Sequence, residues 1–91
     1  MNKRHILDNL AEAADELNRT VAEVRSSRRI SEDRLYVALQ HLYHHINFAW
    51  NGRNSSASRS KACSARDFKA WGRYPRTIPP LGSLPVTRRK P

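Results

Sequence analysis

The strongest structural pattern of this chain lies in residues 31–52, SEDRLYVALQHLYHHINFAWNG. Ser31 offers an N-cap oxygen, and the two acidic residues after it suit the exposed amides of a helix's first turn. The stretch closes at Gly52, because glycine readily takes the left-handed conformation that ends many helices. We therefore predict a helix over about residues 31–50.

This helix is apolar or aromatic over more than half of its circumference. With successive residues 100° apart around the helix axis, the aliphatic residues form one strip along the helix. A row of aromatic residues spaced by seven lies on one flank of this strip, and a mixed set of residues lies on the other. The strip is Leu35, Leu39, Leu42, Ile46 and Ala49, the row is Tyr36, Tyr43 and Trp50, and the mixed flank is Val37, His41, His45 and Phe48. Because one neighbouring helix cannot cover so much surface, we expect a second cover, either the C-terminal part of the chain or a second copy of the protein.

The N-terminal residues carry a heptad pattern. Aliphatic side chains recur in steps of three and four at Leu7, Leu10, Ala14, Leu17, Val21 and Val24. This spacing predicts a helix over about residues 3–26 with a narrow apolar seam toward one neighbour. Since the loop before Ser31 is short, the two helices are expected to form an antiparallel hairpin.

The residues after the second helix change in character. A polar linker over residues 51–60 precedes Ser64-Ala65-Arg66-Asp67, a pattern similar to a capping box, and Gly72 stops the short third helix predicted over about residues 64–71. The prolines that follow favour extended chain. The last six residues, from Val86 onward, are expected to be mobile.

The predicted fold class is therefore all-α. It comprises an antiparallel two-helix hairpin, a short third helix and an extended Pro-containing basic C-terminal arm. The helical domain spans residues 1–72 and the arm residues 73–91.

The surplus of positive charge is confined to the second half of the chain. Through Trp50, seven basic residues balance seven acidic ones, whereas the remaining residues contain ten basic side chains against Asp67 alone and so carry the whole net charge of +9. A basic arm on a neutral body is typical of proteins that bind polyanions. The pattern does not identify the polyanion.

Composition limits the compartment and the class of protein. A single cysteine, Cys63, cannot form an intrachain disulfide, which favours a reducing, cytoplasmic location. No run approaches ~18 apolar residues, so no membrane contact is expected. Acidic residues follow the basic N-terminus where a secretory signal would continue with an apolar run.

Catalytic and metal-binding patterns are weak. The chain has no Gly-rich phosphate loop and no nucleophile elbow, so we predict neither enzyme activity nor a cofactor. His41, His44 and His45 suggest a metal hypothesis, but no accompanying ligand motif supports it. Histidines beside an apolar strip are more often packing or hydrogen-bonding residues, and no metal site is predicted.

The function favoured by this pattern is that of a small non-enzymatic binding or adaptor protein. Its partner would be another protein or a second copy of the chain. The predicted partner-binding residues are the aromatic row and the basic residue after the second helix: Tyr36, Tyr43, Trp50 and Arg53.

The alternative is accessory binding of RNA or single-stranded DNA. Guanidinium groups bind phosphate in a bidentate way, and aromatic faces stack on bases without sequence preference. The residues assigned to this alternative interleave both types of side chain: Arg66, Lys69, Trp71, Arg73, Tyr74 and Arg76.

Overall fold

The computed structural model describes residues 1–26, 30–74, 78 and 81–82. Within these residues the chain forms four helices and no strand, which confirms the all-α class. The helices are α1 (Lys3–Arg25), α2 (Glu32–Asn51), α3 (Ala57–Ala62) and α4 (Ala65–Trp71). Most of the predicted arm, including Arg76 and the last six residues, lies outside the described residues.

The helix starts follow the predicted capping chemistry. The Ser31 hydroxyl accepts a hydrogen bond from the Arg34 backbone amide at 3.1 Å and begins α2. The Ser64 hydroxyl accepts one from the Asp67 amide at 3.1 Å and begins α4. The carboxylate of Asp67 binds Arg59 of α3, so the salt bridge takes the place of the second half of a capping box.

Helix α3 lies where the sequence predicted only a polar linker. Its six residues are capped by Ser56, whose hydroxyl accepts from the Arg59 amide at 3.1 Å. Arg59 binds Asp67 of α4 with Nη2 and Oδ1 2.6 Å apart, and Ser60 reaches His5 of α1. Tertiary contacts therefore hold α3 in place, since six residues are too few for a stable isolated helix.

Helices α1 and α2 form the predicted antiparallel hairpin, but polar and small side chains fill much of their contact. Ala13, Thr20, Ala38 and Ala49 are buried, which brings the two backbones close. Hydrogen bonds cross the contact at four levels: His5 to the Phe48 carbonyl, Asn9 to His45, Glu16 to His41, and Glu23 to Arg34.

The predicted apolar seam of α1 does not face α2, and this interpretation was wrong. Leu10 is 46% exposed, Leu17 48% and Val24 54%. The row that contacts α2 is offset around the helix and includes His5, Ala13 and Thr20. Polar partners on α2 stabilise this offset row, so the aliphatic row of α1 points away from its neighbour.

The core lies at the end of the hairpin where α1 begins and α2 ends. The Trp71 ring packs edge-on against His5 at 5.2 Å and against Phe48 at 5.8 Å between centroids. Two α2 amides secure the end of α4: Asn47 donates to the Gly72 carbonyl and Asn51 donates to the Trp71 carbonyl. Helix α4 therefore covers one side of α2, as expected for a self-packed third helix.

Gly52 ends α2 for a different reason from the one predicted. Its φ of −97° lies outside the left-handed region. A Cβ on this residue would stand 2.3 Å from Nε2 of the buried His5 ring, so only glycine leaves room for that ring.

Candidate interaction surface

One side of the hairpin is an uncovered aliphatic surface, here called the open face. It consists of Leu7, Leu10, Leu17, Val21 and Val24 of α1 with Leu39 and Ile46 of α2, whose exposure ranges from 37% to 64%. Ala14, also exposed, lies within the α1 row, and the half-buried Leu35 and Leu42 form the floor along α2.

The geometry of an antiparallel pair places both rows on the same side. On each helix, the exposed aliphatic row lies roughly 100° around the helix axis from the side that contacts the other helix. The rotation has the same sense on both helices when each is viewed from its N-terminus. Because the helices run in opposite directions, equal rotations point to one side of the hairpin. The opposite side carries a cavity lined by Asp8 of α1, His44 of α2 and residues of α4, so α4 and the open face lie on opposite sides.

The predicted aromatic row borders the open face along α2. Tyr36 is 66% exposed, and Tyr43 is 47% exposed with its ring stacked on Tyr74 at 6.2 Å. Trp50 is half-buried, with the Arg53 guanidinium 3.8 Å above its ring centroid. The structure therefore brings the predicted partner-binding residues beside one continuous apolar surface.

A shallow cavity of about 370 Å³ opens at the N-terminal end of this row. Leu35, Tyr36 and Leu39 form its apolar wall, while Glu32 and Asp33 form an acidic edge. Arg53 and Trp50 lie at the other end of α2, so the two ends of the row differ in charge.

The residues assigned to nucleic-acid binding are divided between the core and the surface. Trp71 is only 6% exposed and packs on His5 and Phe48. Arg66, Lys69 and Arg73 are exposed, and Tyr74 is 46% exposed. Stacking of a base on Trp71 would require α4 to leave this position.

The histidines of α2 have separate environments. His41 binds the Glu16 carboxylate at 3.0 Å, a hydrogen bond that lowers the pKa of Glu16. The ring of His44 lies between Phe48 at 4.3 Å and Phe68 at 5.2 Å. Burial lowers the pKa of His44, and the neighbouring His45 lowers it further. Burial likewise lowers the pKa of His45.

Metal-ligand geometry is lacking in the part of the chain that the structure describes. No group of three or more His, Cys, Asp or Glu side chains converges there. Cys63 is half-buried and follows α3 in the left-handed region, at a φ of 40°.

The carboxylate of Asp67 forms an ion pair with Arg59, whose hydrogen bond lowers the pKa of Asp67.

Sequence reasoning missed the α1 half of the open face as a candidate surface. Its residues were predicted to be the contact row because their heptad spacing is regular. The sequence did contain a signal for the row of α1 that contacts α2. Polar residues recur with seven-residue spacing beside the aliphatic row, at Asn9, Glu16 and Glu23. Their partners on α2 become evident only when the two helices are paired.

Comparisons with protein-family models, with curated proteins and with solved structures gave no significant match to this chain. Among the described residues, none of the helices combines the length and the apolar character needed to cross a bilayer.

Proposed function

We propose that this chain is a small non-enzymatic protein-binding module that docks a helical partner on its open face. The observation that carries the proposal is the row of seven aliphatic side chains, each at least 37% exposed, on one side of the hairpin. A continuous apolar patch of this kind on a small protein is typical of an interaction site. The aromatic row on its edge supplies the residue types enriched in binding hot spots.

The shape of the surface favours a helical partner. Two antiparallel helices leave a groove between their exposed side chains, and another amphipathic helix or helix pair completes a bundle by packing its own apolar row there. Charged side chains lie at the ends and outer edges of this groove, where they remain solvated. This arrangement agrees with an apolar interface core and a polar rim.

Binding of RNA or single-stranded DNA stays a prediction based on charge. Exposed Arg66, Lys69 and Arg73 support it through phosphate contacts. The aromatic half of that proposal has less support, because Trp71 is used in the core. The open face needs no such rearrangement to bind a protein.

Site-specific photo-cross-linking tests the proposed function. A photoreactive phenylalanine derivative replaces Leu17 or Ile46 of the open face in cells that express the chain. Matched controls carry it at Ala11 or Asn18, which are exposed elsewhere on α1. We expect discrete protein adducts from the open-face positions alone. Equal labelling at all four positions, or none at Leu17 and Ile46, would contradict the proposal.

A further inference from the structure

We propose that the open face binds a second copy of this chain in an antiparallel, two-fold arrangement. In this arrangement Trp50 of one molecule enters the cavity between Leu35, Tyr36 and Leu39 of the other. The inference rests on the proposed function, because it names the occupant of the same face. It gives a four-helix bundle of two hairpins whose loops lie at opposite ends.

The pairing of α1 with α2 indicates at which height along the helices the two-fold axis would cross the hairpin. Hydrogen bonds from His41 and His45 to α1 bracket a point at which Ala14 of α1 lies beside Leu42 of α2. Ala14 is the smallest member of the α1 row on the open face. A small side chain at this level allows α1 of each copy to approach the other closely.

The α1 row is symmetric about this level. An antiparallel second α1 brings Leu10 of one copy opposite Leu17 of the other, with Ala14 near the axis. Leu7 then lies opposite Val21. Each aliphatic side chain from Leu7 to Val21 thus meets another, whereas Val24 lies at the level of Arg4.

The α2 row is symmetric about the same level. The rotation that pairs the α1 rows also brings Leu39 of one copy opposite Ile46 of the other. It places Trp50 of each copy at the height of Leu35 in the other. The cavity beside Leu35 is shallow, and Leu35, Tyr36 and Leu39 give it an apolar wall. An indole ring can pack against this wall.

The two ends of α2 are complementary in charge in this arrangement. Glu32 and Asp33 edge the cavity, and Arg53 lies over the Trp50 ring that would enter it. The two-fold rotation brings Arg53 of one copy to Glu32 of the other, and it does so twice. In the same register Lys3 of one copy lies level with Arg25 of the other, a like-charge pair at the ends of α1 that partly offsets this attraction.

The available area is sufficient for a specific dimer. The exposed parts of the seven aliphatic side chains, with Tyr36 and Tyr43, amount to on the order of 600 Å² per molecule. This area exceeds the ~400 Å² per partner of most crystal contacts and approaches the ~800 Å² of a standard interface. Contributions from Trp50, Leu35 and Leu42 add to it.

A charge-swap series measured by sedimentation equilibrium tests the arrangement. We expect the wild-type chain to dimerise, and we expect Glu32→Arg and Arg53→Glu each to weaken the dimer by about threefold to tenfold at low salt. The double variant E32R/R53E should regain wild-type affinity, because the swapped charges again pair. Lys69→Glu changes charge by the same amount on α4, away from the open face, and should leave the affinity unchanged.

Two outcomes would overturn this inference. One is a wild-type chain that stays monomeric at every concentration, and the other is a double variant no tighter than its parents. If Leu17 cross-links to a different protein while the chain is monomeric, the proposed function stands and the second copy is excluded. If no open-face position cross-links, the proposed function fails as well.

Discussion

Gly52 and His5 show how one close contact sets the geometry of the core. The carbonyl of Phe48 can only accept, so Nε2 of His5 carries a proton and donates to it at 2.7 Å. Nδ1 shares a hydrogen bond with the Ser60 hydroxyl at 2.8 Å. The ring is therefore held on both sides and cannot move away from Gly52.

We expect Gly52→Ala to destabilise the fold by about 1–3 kcal/mol, because the new Cβ would overlap the fixed imidazole. Urea unfolding followed by circular dichroism measures this change. The matched control is Gly72→Ala, also at a helix C-cap, where the nearest atom to the new Cβ would be the Phe68 carbonyl oxygen at 3.3 Å. Its effect should stay within ~1 kcal/mol, and a Gly52→Ala variant as stable as wild type would contradict the His5 contact.

The packing of α4 on α2 makes stability depend on pH through His44. Its pKa is lowered in the fold by burial between Phe48 and Phe68, and by His45 and His41. The unfolded chain therefore takes up a proton near pH 6.5 that the folded chain binds less tightly. The contribution of His44 is full above about pH 6.5 and declines as the pH falls through the folded pKa.

We expect His44→Phe to reduce this loss, because phenylalanine keeps an aromatic ring between α2 and α4 but does not titrate. Thermal unfolding at pH 7.5 and at pH 5 gives the comparison. The wild-type midpoint should fall more between these two values than that of the variant. Equal falls in both proteins would show that His44 is not the titrating group.

The extent to which sequence predicts these elements depends on where the stabilising contacts lie. Caps and periodicity are local, so they predicted α1, α2 and α4 within one or two residues. Helix α3 lacks an apolar period and depends on Arg59 and Ser60 meeting distant partners. The contact face of α1 was missed because heptad spacing identifies an apolar row without saying which neighbour covers it.

The candidate surface was predicted in part for the same reason. The excess apolar surface of α2 and the position of its aromatic row follow from the 3.6-residue period. The α1 half of the open face required knowledge of the polar row that pairs with His41 and His45. Only the folded hairpin shows that the two exposed rows share one side.

The whole molecule combines a neutral hairpin with a basic second half. Its large apolar residues are divided between a small aromatic core under α4 and the larger, aliphatic open face. A chain of this size has little apolar surface to spare, and the exposure of so many leucine and valine side chains is the reason for proposing an interface. Dimerisation would also make the stability rise with the logarithm of the protein concentration.

Disulfide trapping at the proposed two-fold axis tests this account most directly. In a Cys63→Ser background, Ala14→Cys places one thiol per chain where the two α1 helices would cross, whereas Ala11→Cys places it away from the open face. We predict that mild oxidation converts the Ala14→Cys protein rapidly to a covalent dimer at micromolar concentration and leaves the Ala11→Cys protein largely monomeric. Slow and equal cross-linking of both variants would contradict the account.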